Sequence, residues 1–464
     1  MIYIKALILN IITIRINLWK HTQNICHSIF AIFPESPTFP SPLENPAFVR
    51  DRKLSFSKTI ATILSVVNSG KNRGLEGKID DIITRACQNN LWPESTHFTR
   101  KSIYNARKNI DWKEFESILD AAYTVAQTNW KNKGDEMWCG MSVFAMDASY
   151  YNLPATDAVR EEFDPDSGLD NPGKGHYPQC LVETAYDVLS HLPIARVVLP
   201  CNSSEREAGK ELLSSMPCDN VIMYDRGYPS YDFIKYLRDN YIGQFLIRCP
   251  ASKTFKEVVE FIDSGKKEDI ITLKPTISYR SKHSAEIAAD DFEPITIRLI
   301  RFEAPDGTCS VLITNMLDKK RFSLAAITNL YYERYRIEEY FRHEKCVIEI
   351  ERFHTKDPNG IRQELLAAAI ISIISRLVVN HKTNQREAGR PQFKNAVITL
   401  ALDAALFAAT CWEIAEFHLN KLLDRIARIK YYKPKKKRRS YPRITKRSPN
   451  KWIDERNKVP TCQP

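Results

Sequence analysis

The spacing of apolar residues changes along the chain close to residue 141. From Phe56 to about Trp130, apolar residues recur at helical spacing, which predicts helices and no strand. Beyond residue 141, short apolar runs predict five strands, at 142–146, 180–189, 193–200, 221–224 and 244–248. Amphipathic stretches predict helices at 205–215 and 231–238. This order indicates a mixed sheet in an α/β layer.

A second change follows Cys249, where strand and turn signals replace the alternation of strands and helices. A Pro305-Asp306-Gly307 turn separates strand-like runs, which predicts a β-rich insertion at about 250–316. Helices resume at Ser323. Together with a proline-rich stretch before residue 47, these changes predict four segments: an extension or linker (1–47), a helical domain (48–135), an α/β domain (136–429) and a basic tail (430–464).

The net charge and the spacing of the cysteines limit the classes of protein to which the chain can belong. The formal net charge is +11, and nine of the fifteen residues at 433–447 are Lys or Arg. Such a run is either a solvated tail or a surface for a polyanion. The eleven cysteines are scattered without a CxxC pair, which argues against a zinc site and against a secreted disulfide framework. We therefore expect a cytoplasmic protein, and the apolar run at 365–374 predicts a core helix rather than a membrane span.

A basic amphipathic helix is predicted just after Phe98, with Thr99 as its N-cap. Ile103, Ala106 and Ile110 share one face. Four basic residues fall largely off that face: Arg100, Lys101, Arg107 and Lys108. The helix is either a solvated surface or the groove-reading helix of a DNA-binding domain.

Three acidic residues are candidates for chemistry. Asp147 and Asp225 each end a predicted strand, where the ligand sites of α/β sheets gather, although an Asp there also caps turns. Glu338 lies in a stretch without Gly or Pro, which predicts one helix over 331–345. In such a helix Tyr331, Arg334, Glu338 and Lys345 share a stripe about 60° wide. This stripe is either an active-site face or a surface helix with an Arg334–Glu338 ion pair.

These residues match a known signature. The segment resembles the Tyr-x2-Arg-x3-Glu-x6-Lys signature of DDE transposases of the insertion sequence four family. Asp147, in Met-Asp-Ala-Ser, and Asp225, in Tyr-Asp-Arg-Gly-Tyr, resemble the first and second aspartates of that family. Flanking pieces that also resemble it are 48–56, Leu153-Pro154, Ser204-Glu205-Arg206 and 312–315. The resemblance runs from about residue 48 to the tail.

The resemblance implies an RNase H-like catalytic core with a β-rich insertion, preceded by a helical DNA-binding domain. Asp147, Asp225 and Glu338 would hold two Mg²⁺ or Mn²⁺ ions that activate water and then a DNA 3′-hydroxyl. Arg334 and Lys345 would bind phosphates of the transposon end, and Tyr331 would lie near the terminal nucleotide.

The implied function is that of an insertion-sequence transposase. It would bind terminal inverted repeats, cleave DNA at the element ends and join the 3′-hydroxyls to target DNA. Its partners would be double-stranded DNA and a second copy of the chain, in the bacterial cytoplasm at the nucleoid. The alternatives are a metal-dependent DNA nuclease of the same fold, a catalytically inactive DNA-binding protein, and an RNA-binding protein suggested only by the basic tail.

Overall fold

The structure is a computed structural model that describes residues 54–68, 74–130, 137–165, 177–214, 216–251, 254–283, 294–303, 309–383 and 390–431. The predicted linker at 1–47 and nearly all of the basic tail predicted at 430–464 lie outside these residues. The same holds for most of the 48–56 segment.

Within residues 54–68 and 74–130 the structure describes helices and no strand, as the periodicity predicts. They are α1 (Phe56–Asn68), α2 (Leu75–Gln88), α3 (Arg100–Lys108) and α4 (Trp112–Trp130). Thr99 caps α3 as predicted: its hydroxyl accepts from the backbone N–H of Ser102, and the Ser102 hydroxyl accepts from that of Thr99. This reciprocal box fixes where the basic helix begins.

A single eight-stranded sheet organises the middle of the chain. Its strands are β1 (Val143–Asn152), β2 (Gln179–Asp187), β3 (Leu192–Pro200), β4 (Val221–Tyr224), β5 (Gln244–Pro250), β6 (Glu268–Leu273), β7 (Ile295–Glu303) and β8 (Cys309–Thr314). Their order is β3-β2-β1-β4-β5-β8-β7-β6. β4 runs parallel to β1 and β5, whereas the other neighbours are antiparallel. The predicted mixed sheet is confirmed.

The β-rich segment predicted at about 250–316 does not form a sheet of its own. β8 pairs antiparallel with β5, with Leu246 opposite Thr314, so β6 to β8 extend the same sheet. Arg298 of β7 is fully buried and anchors this extension. Its guanidinium donates to Glu268 and to the carbonyls of Met316 and Phe322.

Helices cover both faces of the sheet. Those between the strands are α5 (Asp157–Phe163), α6 (Glu205–Leu213), α7 (Tyr231–Asn240), α8 (Lys256–Asp263) and α9 (Ile277–His283). After β8 come α10 (Leu324–Tyr332), α11 (Tyr335–His343), a π-helical turn (Glu344–Ile348), α12 (Pro358–Thr383), α13 (Phe393–Leu402), a 3-10 turn (Ala404–Ala408) and α14 (Trp412–Arg428). A short pair, β9 (Arg390–Pro391) and β10 (Lys430–Tyr431), lies at the end of the described chain.

The helix α12 is long and apolar enough to cross a membrane by length and composition. However, 89% of its apolar window is buried inside the protein. It packs against α4 and α1 from the start of the chain and against α13. The core helix predicted at 365–374 is therefore confirmed, as the centre of a longer helix.

Strand alternation divides the core into two clusters. Phe144 and Met146 face the cluster formed with α1 to α4 and α12 to α14. Val143 and Ala145 face the other cluster, which contains residues of α10 and α11. The boundary predicted at residue 135 does not separate two cores, because the N-terminal helices share one cluster with the C-terminal helices. The Trp92 indole N–H, for example, donates to the carbonyl of Ala408 at 2.9 Å.

Candidate active site

Asp147 and Asp225 lie at two neighbouring parallel strands, β1 and β4. Ala145 of β1 pairs with Met223 of β4, two residues before each aspartate, and the charge of Asp225 acts on the pKa of Asp147. Asp225 directly follows β4, as predicted. The prediction that a strand ends at Asp147 was wrong: β1 continues to Asn152, because it pairs with β2 along this whole stretch. By alternation both carboxylates lie on the face covered by α10 and α11.

The loop after β4 holds Asp225 in a fixed position. Its Oδ1 accepts from the backbone N–H of Gly227 at 2.6 Å. Arg206 of α6 donates from Nε to the carbonyls of Gly227 and Tyr228, both at 3.1 Å. A Cβ on residue 227 would lie 3.0 Å from side-chain oxygens of Asp225 and Glu205, so a larger residue here would make these carboxylates shift.

A buried carboxyl group supports the same loop from β2. The Tyr228 hydroxyl lies 2.8 and 2.9 Å from the two oxygens of Glu183, which is fully buried. Burial, opposed by the hydrogen bond from Tyr228, raises the pKa of Glu183 well above its ordinary value. Sequence reasoning missed this residue, although a lone acidic residue in an apolar run is a signal for a buried polar contact.

The third carboxylate approaches from the helical layer. The prediction of one helix over 331–345 was wrong, because α10 ends at Tyr332, α11 begins at Tyr335 and a π-helical turn follows it. At the first break Arg334 donates its N–H to Tyr331 O three residues back. This tight turn brings the Arg334 side chain beneath the helix, where 4% of it is exposed.

Arg334 joins the first and third carboxylates. Its Nη1 lies 3.3 Å from Asp147 Oδ2, and its Nη2 lies 2.8 Å from Glu338 Oε1. The predicted Arg334–Glu338 pair is thus present, but the additional bond to Asp147 makes it part of a site rather than of a solvated surface. The Arg334 Nε is buried without a hydrogen-bond partner among the residues that the structure describes. The guanidinium therefore has donor capacity that its present partners do not use.

Burial and neighbouring charges shift the pKa of Asp147. Burial raises the pKa of Asp147; Arg334 lowers it, and Asp225 and Glu338 raise it further, so that the result is about 7. Carboxylate oxygens are the donors that hard divalent cations prefer. Across the described ranges no three acidic, histidine or cysteine side chains already stand in a metal-holding arrangement. Here the charge is partly neutralised by Arg334, so a metal would have to replace it as the partner of these carboxylates.

The two remaining signature residues lie in different surroundings. Tyr331 is fully buried, and its hydroxyl donates to the carbonyl of Tyr224 at 3.1 Å. In this structure Tyr331 supports the end of β4, and its contact with a terminal nucleotide stays a prediction. Lys345 is half-buried, and its Nζ donates to the carbonyl of Tyr150 in β1 at 2.7 Å. It lies beside the strand that carries Asp147.

The basic residues of α3 divide into two groups. Arg100, Lys101 and Lys108 are exposed, as predicted. Arg107 is not, which corrects the prediction: only 4% of its side chain is exposed, and its Nη1 lies 2.8 Å from Glu364 Oε1 in α12. Its other nitrogens donate to Gln363 and to the carbonyl of Gly360. Arg107 therefore attaches α3 to the core rather than facing solvent.

Raising the pH through about 7 will destabilise the metal-free protein. The folded-state pKa of Asp147 is raised, so its contribution to stability is complete below the ordinary aspartate pKa and is lost as the pH rises through about 7. The free energy of unfolding in urea, measured between about pH 5 and about pH 8, will fall in the wild type and fall less in Asp147→Asn. The exposed Asp157→Asn is the control; parallel curves for wild type and Asp147→Asn would contradict the prediction.

The chain is similar to known transposases. Residues 138–374 match the family model described as a transposase DDE domain. The transposase InsG for insertion sequence element IS4 of Escherichia coli (strain K12) is 24% identical over 231 residues, which cover 49% of this chain and 50% of that protein. The protein y4zB of Sinorhizobium fredii is 25% identical over 200 residues, which cover 42% of this chain and 52% of its own length. The chain thus spans about half the length of the curated relatives it matches.

Among solved structures, a piggyBac transposase synaptic complex with hairpin DNA aligns with 82% of this chain and 76% of its own, at 11% identity and a TM-score of 0.37. The family match covers the strands with Asp147 and Asp225, the helix with Glu338 and the start of α12. The chain belongs to the family of transposases with a DDE domain, and within it to the insertion sequence IS4 type.

Proposed function

We propose that this chain binds the terminal inverted repeats of an insertion sequence, cleaves DNA at the element ends and joins the 3′-hydroxyls to target DNA. One observation carries the proposal: Asp147 of β1 and Asp225, directly after the parallel strand β4, lie close enough for the charge of Asp225 to raise the pKa of Asp147, and Arg334 links Asp147 to Glu338. Three carboxylates drawn from two strands and one helix form a site for phosphoryl transfer rather than a chance surface cluster.

The sheet supports an RNase H-like assignment of the catalytic core. Three antiparallel strands, β3-β2-β1, are followed by β4 and β5, which run parallel to β1, and the second aspartate follows β4. The strands β6 to β8 are then the insertion between the second and third carboxylates. We assign the helices before residue 135 to DNA binding.

Asp147, Asp225 and Glu338 are the residues that would hold two Mg²⁺ or Mn²⁺ ions. Bound there, such ions supply activation of the attacking oxygen and stabilisation of the leaving 3′-oxygen. Arg334 bonds to the carboxylates in this structure, and we assign its guanidinium to a DNA phosphate in the complex, where the metal ions would take its place on the carboxylates. Lys345 supplies a second cation for the phosphate backbone beside β1.

DNA binding outside the active site is assigned to the exposed face of α3. Arg100, Lys101 and Lys108 supply positive charge, and Lys108 Nζ lies 4.5 Å from the ring centre of the exposed Tyr104. Cations interleaved with an aromatic ring suit a DNA backbone and its sugars. The partner is double-stranded DNA at the bacterial nucleoid, and pairing of two element ends implies a dimer of this chain.

A strand-transfer assay tests the proposed reaction. The full chain is incubated with Mg²⁺, a supercoiled target plasmid and a duplex that carries the inverted repeat found beside the coding region. Joined product is the expected result. Cleavage without joined product would support the metal-dependent nuclease, and specific binding without cleavage would support an inactive DNA-binding protein.

Removing exposed cations from α3 will weaken DNA binding in a salt-dependent way. Arg100→Ala and Lys101→Ala will each lower the slope of log affinity against log salt concentration by about one, because each cation displaces roughly one counterion. Fluorescence anisotropy over a salt series measures the slope. Lys256→Ala, which removes an exposed lysine from α8, is the control. Unchanged slopes in both α3 variants would remove this helix from the DNA interface.

A further inference from the structure

A fully buried ion pair lies between the sheet and the π-helical turn. The Arg196 Nη2 of β3 is 2.9 Å from Glu344 Oε1, and neither side chain is exposed. The same oxygen accepts from the Tyr340 hydroxyl at 2.6 Å, and the other oxygen accepts from Tyr151 of β1 at 2.5 Å. Arg196 also donates to the carbonyl of Leu365 in α12 at 2.8 Å. Glu344 is thus connected to β1, β3, α11 and α12.

Stability alone is a weak reason for such a cluster. Moving both charges out of water is unfavourable, and apolar residues of similar volume often replace a buried pair without loss of stability. What a buried pair does provide is a defined geometry, because each charged oxygen must keep its donors. The cluster therefore fixes the position of the segment to which Glu344 belongs.

That segment carries a signature residue. Glu344 opens the π-helical turn, and Lys345 is the next residue. Lys345 Nζ lies 4.8 Å from the ring centre of Tyr151 and donates to the carbonyl of Tyr150. Tyr151 therefore contacts Glu344 through its hydroxyl and Lys345 through its ring. A wide turn of this kind redirects the side chains that follow it.

We propose that Glu344 is a positioning residue: through Tyr151 it holds the π-helical turn against β1 and thereby sets Lys345 against the strand that carries Asp147, for contact with a DNA phosphate. The proposal rests on the proposed function, since it assigns Lys345 to the phosphate backbone. Glu344 itself touches neither DNA nor metal.

A double-mutant cycle tests the coupling between Tyr151 and Lys345. Tyr151→Phe keeps the ring and deletes the hydroxyl that binds Glu344. A hydrogen bond to a charged group corresponds to about a tenfold change. We expect Tyr151→Phe to lower the cleavage rate about tenfold, and the double variant with Lys345→Ala to be no slower than Lys345→Ala alone. Tyr241→Phe, which deletes a hydroxyl bonded to the carbonyl of Asn220, is the matched control.

Salt dependence separates positioning from general loss of structure. Tyr151→Phe and Lys345→Ala should each lower the slope of log affinity against log salt by about one, whereas partial unfolding reduces the active fraction without changing the slope. If Tyr151→Phe does not fold, Tyr340→Phe removes the other hydroxyl from Glu344 and takes its place.

The outcomes of the cycle are distinguishable. Additive effects of Tyr151→Phe and Lys345→Ala, with an unchanged slope in Tyr151→Phe, would overturn the positioning role of Glu344 and leave the proposed function intact. Full cleavage activity in Glu338→Gln would instead overturn the proposed function itself.

Discussion

Replacing Glu338 with glutamine will lower the rate of DNA-end cleavage by at least about a thousandfold, because a neutral amide cannot replace an ionised ligand at a metal-dependent site. Affinity for the terminal-repeat duplex should change little, since the cations that contact phosphates remain. The rate is measured under single-turnover conditions with Mg²⁺, and the affinity by anisotropy in Ca²⁺. Glu339→Gln, the same substitution at the next exposed position of α11, is the matched control.

Loss of structure does not account for this effect. The Glu338 side chain is 45% exposed, and the buried Arg334 keeps its bond to Asp147 when Glu338 becomes neutral. The urea-unfolding midpoint of Glu338→Gln should therefore stay close to that of the wild type. Cleavage at the wild-type rate in this variant would remove Glu338 from the reaction.

Replacing Arg107 with alanine will destabilise the protein by about 3–5 kcal/mol, because it leaves the Glu364 carboxylate buried without its counter-charge. Burial would raise the pKa of Glu364, but the charge of Arg107 and the contacts from His354 lower it to about 2. The stability from this depressed pKa is present above the ordinary glutamate value and is lost as the pH falls through about 2. The deficit of Arg107→Ala, measured by urea unfolding, should therefore shrink in acid.

Lys108→Ala, one residue further along α3 on its exposed side, is the matched control and should leave stability nearly unchanged. The two variants should also differ in DNA binding. Lys108→Ala should reduce the salt dependence of affinity, whereas folded Arg107→Ala should retain it. A reduced slope with full stability in Arg107→Ala would restore its originally predicted place on the DNA-binding face.

The spacing of apolar residues predicted the strands and helices that depend on interactions between residues close in the sequence. The apolar runs at 142–146 and 221–224 predicted β1 and β4. The aspartate directly after each run was then a candidate site residue. The parallel pairing of β1 with β4, which the sequence does not encode locally, then brought the ends of the two runs together. Helical spacing also put Arg334 and Glu338 together, because partners four residues apart meet on any helix.

The spacing of apolar residues could not predict contacts between residues that are far apart in the sequence. A helical projection assigns every charged residue to the solvent side, yet Arg107 is buried against Glu364, which lies 257 positions further along the chain. Tyr331 is likewise held by the carbonyl of Tyr224. The breaks around α11 occur at Arg334 and Glu344, whose buried side chains bind the sheet, so tertiary contacts override the helical propensity. The pairing of the strands within 250–316 with the rest of the sheet could not be predicted either, because it too joins distant parts of the sequence.

The contact between the two ends of the described chain has a consequence for synthesis on the ribosome. The backbone of Thr410 donates to the carbonyl of Leu91, and Arg85 of α2 pairs with Asp403 after α13. The apolar face of the first helices therefore stays without its packing partners until a segment more than three hundred codons further on has been translated. If translation stops before this segment is made, the first helices remain exposed to chaperones and proteases. We therefore expect incomplete chains to be degraded faster than complete ones.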